Sequence, residues 1–360
     1  MSLLHFGQHR MLSLKMNAHQ SLKSETTIHP PQAGAAPGHT FRVLALAVVA
    51  AGLALWASPP AALVAGILFA LVIGHPFAHW NHHLTKWLLQ FCVVLLGFGM
   101  DLPVVLRLGM KGSLFAAVTI GTTLALGWWL GQKLKLDWKT SALISTGTAI
   151  CGGSAIAAVS SVIAATEAEI AVSVGTIFLL NAVALYVFPL VGHLLHLSQA
   201  QFGLWAGVAI HDISSVVGAG LSYGTDALNT ATAVKLSRTL WIVPVTLALA
   251  LSVGRVRAAP AGADHPSRER KAKVTVPWFI GLFLLASLTR SFIPAVSTWS
   301  PVISGGARHG MILVLFLVGT SLSLRALRAV GWRTVTAGFA LWMFISISSL
   351  LAIVCLRLAS

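Results

Sequence analysis

The sequence predicts an all-α, polytopic membrane protein with about eleven transmembrane helices. Of its 360 residues, 56% are hydrophobic and only 9% are charged, and the mean hydropathy is +0.84. A soluble domain carries about 25% charged residues, and the deficit here extends over nearly the whole chain. From residue 41 onward, apolar runs of about 17–25 residues recur, which is the length that crosses a bilayer as a helix.

The predicted spans are the apolar runs between short polar loops. Residues 1–40 contain no apolar run long enough for a signal peptide, so we expect a disordered, basic cytoplasmic tail. Residues 41–360 form the predicted transmembrane domain, with a charged cytoplasmic linker over about 255–275. The runs cover residues 41–57, 60–76, 84–101, 112–132, 139–163, 169–195, 203–224, 231–254, 276–293, 302–322 and 333–356.

The basic residues set the predicted orientation. The chain has 24 Lys and Arg against nine Asp and Glu, a net charge of +15. Placing the N-terminus in the cytoplasm puts most of these cations in cytoplasmic loops, as the positive-inside rule requires. With an odd number of spans, the C-terminus then lies in the periplasm. Because the cations lie between apolar runs and form no basic stripe with exposed aromatic residues, we expect no nucleic-acid partner.

Two pairs of segments predict internal repeats. Residues 97–111 resemble residues 319–333, and the spans that carry them run in opposite directions in the predicted topology. This is typical of the inverted repeats of secondary transporters. Residues 147–154 are echoed 60 positions later by residues 207–214, but the predicted spans there run in the same direction. Either this second match is chance, or one of the two segments is re-entrant.

Residues 146–154 place three glycines and several hydroxyl side chains in the middle of an apolar run. Such a composition weakens a helix and leaves backbone groups free, and in lipid this is tolerated only beside protein or a cavity. We therefore predict a discontinuous helix whose half-helix N-terminus attracts an anion. The alternative is close packing of small residues between helices. The candidate substrate-lining residues are Thr148, Cys151, Gly152, Gly153 and Ser154.

A second candidate segment contains His211 and Asp212. An acid inside a membrane span is a functional candidate by default, and a histidine changes charge near physiological pH. We therefore predict that His211 or Asp212 couples transport to an ion, with Ser214 and Ser215 lining the substrate. The alternative is that Asp212 lies near the end of its span and pairs with a base.

Lys235 and Arg238 are three residues apart and share one face of a helix. Two cations on one face, with few acids to neutralise them, could bind a dianion. The alternatives are an interfacial pair that reaches water or neutralisation of Asp212. The only histidines with metal-like spacing, His79 and His83, lie in a predicted loop, so we expect no metal and no cofactor.

These residues resemble the YeiH-type family of bacterial inner-membrane proteins, whose label is sulfate exporter. The family is similar to the cation/proton antiporters and bile-acid symporters, which implies inverted repeats and helices broken at the membrane midplane. Where the family often has Glu beside this histidine, the chain has Asp212. The motifs that carry the resemblance are Ile150-Cys151-Gly152-Gly153-Ser154-Ala155, His211-Asp212, Lys235-x-x-Arg238 with Pro244, Val276-Pro277-Trp278-Phe279, and residues 319–324 followed by Arg325-Ala326-Leu327.

The residues and the resemblance together predict a secondary transporter, not an enzyme. The expected partners are sulfate or a related small inorganic anion, the lipid bilayer, and a coupling proton or sodium ion. Assembly into a homo-oligomer stays open. Two other functions also stay open: an ion-coupled carrier of an organic anion, and an intramembrane enzyme with Cys151 as nucleophile and His211 as base.

Overall fold

The computed structural model describes residues 46, 48–50, 52–53, 57–72, 78–257, 278–321 and 330–355. Within these ranges the chain is helix and short connection, which confirms the predicted all-α class. The predicted tail, most of the first span and the linker beyond residue 257 lie outside the described residues. The helices with defined bounds are α1 (Pro59–Val72), α2 (Ala78–Gly97), α3 (Leu102–Lys133), α4 (Trp138–Ala149), α5 (Gly153–Ile163), α6 (Glu167–Leu194), α7 (Gln199–Ala209), α8 (Ile213–Tyr223), α9 (Thr225–Leu240), α10 (Ile242–Arg257), α11 (Trp278–Phe292), α12 (Pro294–Ser321) and α13 (Trp332–Cys355).

Among the described residues, five helical stretches are long and apolar enough to cross a membrane: α3, α6, α9 with α10, α12 and α13. The 28 residues of α6 extend about 42 Å at a rise of about 1.5 Å per residue, more than the roughly 30 Å hydrocarbon core. The crossing formed by α9 and α10 is interrupted at Trp241. The cause is Pro244, which has no N–H to bond Leu240 and whose ring clashes with that carbonyl group.

Two of the predicted spans, 139–163 and 203–224, are not single crossings. Each contains two helices of only 11 or 12 residues, α4 with α5 and α7 with α8, and each half extends about 17 Å. Lys139 Nζ donates to the carbonyl oxygen of Ala164 at 2.9 Å, so the start of α4 lies beside the end of α5. Both segments are helical hairpins, hairpin 1 (residues 138–163) and hairpin 2 (residues 199–223).

Hairpin 2 closes in the same way, because Tyr223 Oη donates to the carbonyl oxygen of Leu197 at 2.6 Å. Hairpin 1 ends just before α6 begins, and hairpin 2 begins just after α6 ends. Since α6 is long enough to cross the membrane, the two hairpins enter from opposite sides. Residues 147–154 and 207–214 therefore run in opposite directions, as an inverted repeat requires, and both segments are re-entrant.

The entrances of these elements are fixed by local capping. The Asp137 side chain accepts from the backbone N–H of Lys139 at the start of α4. Capping boxes open the next two elements, with Thr166 and Glu169 at α6 and Ser198 and Gln201 at α7. A capping box satisfies two backbone N–H groups that would otherwise have no partner. The capping residues beside each short connection therefore determine where α6 and α7 begin.

The described helices form two bundles. One contains α1, α2, α11 and α12, and the other contains α3 to α9 with α13, while α10 packs on α5. Helices α2 and α12 are antiparallel: Asn81 near the start of α2 donates to Thr320 near the end of α12 at 3.0 Å, and Ser300 donates to the carbonyl oxygen of Phe98. This agrees with the opposite directions predicted for residues 97–111 and 319–333.

The first bundle is held by a very close helix crossing. A Cβ atom on Gly66 of α1 would fall on the carbonyl oxygen of Phe316 and lie 3.0 Å from Cα of Gly319. A Cβ atom on Gly319 would similarly lie 3.0 Å from the backbone nitrogen of Ile67. Small residues allow membrane helices to approach this closely and gain packing contacts, so these glycines fix α12 against α1.

Candidate functional site

The tip of hairpin 1 is the break between α4 and α5. Gly152 adopts φ +66°, a left-handed value that a side chain would disfavour. Helix α5 then begins at Gly153, and its N-cap residue, Gly152, has no side chain to bond the first N–H groups. Its N-terminus therefore presents backbone donors and the positive end of the helix dipole. The break predicted within residues 146–154 is observed.

The tip of hairpin 2 is the break between α7 and α8, and it is capped. Asp212 Oδ2 accepts from the backbone N–H of Ser214 at 3.1 Å and of Ser215 at 3.4 Å, and also from the Ser214 hydroxyl. Asp212 lies 60 positions after Gly152, at the matching place in the sequence echo. One hairpin thus has its own carboxylate at the half-helix N-terminus, and the other has a glycine.

The two tips lie against each other beside α6. A Cβ atom on Gly152 would lie 3.5 Å from the carbonyl oxygen of His211 and 3.3 Å from Ile177 of α6. One turn later, Asn181 Oδ1 accepts from the backbone N–H of His211 at 3.1 Å. Ile177 follows Glu167 by about 15 Å along the helix axis, so the tips meet near the middle of the crossing.

Helix α9 contacts both tips from another side. Lys235 Nζ donates to the carbonyl oxygen of Ile210 in hairpin 2 at 2.5 Å. Arg238 donates to the carbonyl oxygen of Ala149 in hairpin 1 and, at 2.8 Å, to Thr119 Oγ1 of α3. Both cationic side chains are fully buried, with 0% exposure. The shared face predicted for this pair is therefore turned toward the hairpin tips.

A cavity of about 200 Å³ lies beside the tips, between the two bundles. The second bundle contributes the start of α5, the start of α8 and part of α6, and the first bundle contributes α2, α11 and the end of α12. The lining residues are Thr85, Lys86, Leu89, Gln90, Gly153, Ser154, Ala157, Phe178, Asp212, Ile213, Ser214, Phe279, Val318 and Ser321.

The cavity contains charges of both signs. Lys86 supplies a cation, and the uncapped N-terminus of α5 adds the equivalent of about half a positive charge. Asp212 supplies a carboxylate, whose Oδ2 is already bonded to the start of α8. The hydroxyl groups of Ser154 and Ser214 can donate or accept. Phe178 and Phe279 form an apolar part of the wall.

The structure divides the predicted site residues into two groups. Four line the cavity: Gly153, Ser154, Asp212 and Ser214. The others are buried and do not line the cavity: Thr148, Cys151, Gly152, His211, Ser215, Lys235 and Arg238. Among these buried groups, the Thr148 hydroxyl, both ring nitrogens of His211 and Nε of Arg238 have no hydrogen-bond partner in the part of the chain that is described.

Sequence reasoning did not include Lys86 and Gln90 in the site. They are four residues apart and so share one face of α2, inside the run 84–101. A cation and an amide on one face of an apolar run could have indicated a site here. A lysine at this position is equally typical of the cytoplasmic end of a span, so the pattern does not distinguish the two. Among the described residues, no group of three or more His, Cys, Asp or Glu is placed to hold a metal ion.

Comparison with known proteins gives the family. The family model described as "Conserved hypothetical protein 698" matches residues 40–347. A protein named "UPF0324 membrane protein" from Bacteroides thetaiotaomicron is 44% identical over 297 residues, covering 82% of this chain and 86% of the relative. A protein of the same name from Porphyromonas gingivalis is 45% identical with the same coverage. No solved structure matches the chain.

The residues matched by the family model include both hairpins, α9 and both sides of the cavity. The relatives carry a membrane-protein name, which agrees with the helical stretches in the described ranges that are long enough to cross a bilayer. The chain therefore belongs to the UPF0324 family of membrane proteins, which is the YeiH-type family that its motifs resemble.

Proposed function

We propose that the protein is a secondary transporter that exports a small inorganic anion, such as sulfate, across the bacterial inner membrane. One observation carries this proposal: two helical hairpins enter from opposite sides and meet beside a cavity between two bundles. Secondary transporters bind their substrates at discontinuous helices near the membrane midplane. Movement of one bundle against the other would open such a cavity to each side in turn.

The charge distribution supports an anionic substrate. The uncapped N-terminus of α5 and the Lys86 ammonium are positive, and both border the cavity. Backbone N–H groups at a helix N-terminus bind anions directly. Asp212 removes part of this positive charge, but its Oδ2 is bonded to α8. The substrate oxyanion would therefore lie at α5, with Ser154 and Lys86 as further donors.

The position of the cavity supports loading from the cytoplasm. The cavity includes Lys86, in the first half of α2, and Ser321, at the end of α12, so it lies toward the start of α2 and the end of α12. In the orientation set by the positive-inside rule, these helix ends face the cytoplasm, as do Lys133 and Lys135. The N-terminus is then cytoplasmic and the C-terminus periplasmic. An exporter takes up its substrate from this side.

Coupling is assigned to Asp212, the acid that lines the cavity, with His211 directly behind it. A proton carried by Asp212 would remove the carboxylate charge from the cavity and so change its affinity for an anion. The proposal includes no enzymatic step. Cys151, the candidate nucleophile, has 1% exposure and does not line the cavity.

A second candidate is an ion-coupled carrier of an organic anion. It is favoured by the apolar wall of the cavity, to which Leu89, Phe178, Phe279 and Val318 contribute. Apolar and aromatic side chains are typical of sites for organic ligands, whereas a small inorganic anion needs few of them.

The test is flux into proteoliposomes that contain the purified protein. Labelled sulfate, sulfite, thiosulfate and succinate are offered separately, with and without a pH gradient or a sodium gradient. We expect saturable flux of an inorganic anion that a pH gradient accelerates. Flux of succinate alone would establish the organic-anion carrier instead, and no flux of any of the four would reject both.

The variant Lys86→Gln tests the cavity itself. Lys86 is exposed, so its contribution to anion binding is screened by water, and we expect a rise in KM of about two- to fivefold. Lys135→Gln is the matched control, because Lys135 is an exposed cation outside the cavity lining. Equal KM values for the two variants would remove Lys86 from the site.

A further inference from the structure

Lys235 and Arg238 are buried cations to which the proposed substrate site assigns no contact. Both have 0% exposure and neither lines the cavity. The Lys235 ammonium donates to Ile210, and the Arg238 guanidinium donates to Ala149 and Thr119. A buried cation normally has an anionic partner, because removing it from water is costly. The question is what compensates these two charges.

Each of them donates to the carboxyl end of a half-helix, and Arg238 donates in addition to Thr119 of α3. Ala149 is the last residue of α4, and Ile210 directly follows the last residue of α7. Carbonyl groups at a helix C-terminus have no partner within the helix and carry the negative end of its dipole. Arg238 therefore lies at the negative end of α4 in hairpin 1, and Lys235 lies at the negative end of α7 in hairpin 2. The carboxyl ends of α4 and α7 thus face adjacent turns of α9.

No carboxylate forms an ion pair with Lys235 or Arg238 in the described part of the chain, although Asp212 is near enough for its charge to act on Lys235. The ion pair found there joins Arg290 to Asp101, far from the tips in sequence. Asp212 is the acid beside the tips, and its Oδ2 is bonded to Ser214 and Ser215. The hydrogen-bond partners of Lys235 and Arg238 are therefore the two helix ends and Thr119, and not an ion-paired acid.

In ion-coupled carriers, the carboxyl ends of half-helices are where a sodium ion binds. We infer that Lys235 and Arg238 are built-in cations that occupy these two places, so that the hairpin tips hold their geometry without any free metal cation. One consequence is that transport does not depend on sodium or potassium, and only this consequence rests on the proposed transport function.

The two side chains differ in a way that makes the inference testable. Lysine is a compact point charge, and here it meets a single carbonyl oxygen. Arginine is a planar fork, and here it bridges Ala149 of hairpin 1 and Thr119 of α3. A small ammonium ion should therefore take the place of a deleted Lys235 side chain, and guanidinium should take the place of a deleted Arg238 side chain.

The experiment measures the thermal unfolding midpoint of purified protein in detergent. Lys235→Ala and Arg238→Ala are expected to lower the midpoint. Millimolar methylammonium should restore most of it in Lys235→Ala, and millimolar guanidinium should restore it in Arg238→Ala, each with little effect on the other variant. Methanol and urea, neutral molecules of similar shape, should restore neither. Sodium chloride should raise the midpoint of Lys235→Ala relative to choline chloride and leave wild type unchanged.

Rescue by the neutral molecules, absence of rescue by the matching cation, or saturable stabilisation of wild type by sodium would each overturn the inference. If an alanine variant cannot be purified, Lys235→Arg and Arg238→Lys retain a cation and are expected to fold with sodium-insensitive midpoints. Sodium-dependent midpoints in these variants would also contradict it. None of these readouts needs a transported substrate, so a failure of the proposed function would leave the result interpretable.

Discussion

Replacing Asp212 with asparagine is expected to destabilise the protein and at the same time to strengthen anion binding. The change keeps the size of the side chain and removes its charge. Asp212 Oδ2 accepts from two backbone N–H groups and one hydroxyl at the start of α8. Hydrogen bonds to a charged acceptor contribute about 1.5–3 kcal/mol against about 1 kcal/mol for a neutral one. With the lost dipole interaction of about 0.3–1 kcal/mol, we expect a loss of about 1–3 kcal/mol in unfolding free energy.

The effect on binding has the opposite sign, because Asp212 also lines the cavity. A carboxylate about 6 Å from a bound monovalent anion, at an effective dielectric constant of about 20, repels it by about 3 kcal/mol. Removing that repulsion corresponds to roughly a hundredfold gain in affinity, and a divalent anion would gain more.

Both effects can be read from one titration. The unfolding midpoint of the purified protein is measured against sulfate concentration for wild type and Asp212→Asn. The variant should begin at a lower midpoint and reach its sulfate-bound plateau at a lower concentration. Asp226→Asn is the matched control, because Asp226 is an exposed acid in the first turn of α9 that does not line the cavity. A folded Asp212→Asn protein that binds sulfate no better than wild type would refute the reasoning.

Two further predictions concern the scaffold and the hairpin entrance. Gly319→Val should lower the unfolding midpoint by the equivalent of about 1–3 kcal/mol, because its new side chain would meet the backbone of α1 at Leu63 and Ile67. Gly305→Val in the same helix is the control, because nothing lies within 4 Å of its Cβ position. An equal loss of stability in both variants would contradict the close contact between α12 and α1. Tyr223→Phe removes the hydrogen bond to Leu197, worth about 1 kcal/mol. In the Tyr223→Phe protein, amide hydrogen exchange should be faster across hairpin 2 and unchanged in hairpin 1. Equal acceleration in both hairpins would show that the Tyr223 hydrogen bond does not stabilise hairpin 2 specifically.

The position of the hairpin 1 break could be predicted from the sequence because it depends on local chemistry. Gly152 is needed for a positive φ, and glycines and hydroxyl side chains within an apolar run are visible without a structure. The re-entrant path could not be predicted in this way. Two arms of about 11 residues have the same combined length as one crossing, and the difference lies in contacts such as that between Lys139 and Ala164.

The spacing of Lys235 and Arg238 predicted a shared helix face, and they do share one. Their partners could not be read from spacing, because they lie in other elements: two backbone carbonyl groups, 25 and 89 residues away, and the Thr119 hydroxyl, 119 residues away. Lys86 was missed for a related reason. Its inward position depends on how α2 packs against the hairpin tips, whereas its sequence context fits a residue that only marks the cytoplasmic side.

The antiparallel pairing of α2 with α12 also constrains how the protein is made. The Asn81 amide donates to Ser321 at 2.7 Å, and the two residues are 240 positions apart. At about 5–20 residues per second, α12 leaves the ribosome about 12–48 s after α2. During that interval, a polar amide of α2 has no final partner in the bilayer. The first bundle is therefore completed only late in synthesis, after both hairpins have been inserted, and α2 would need water, lipid headgroups or an insertase to satisfy Asn81 until then.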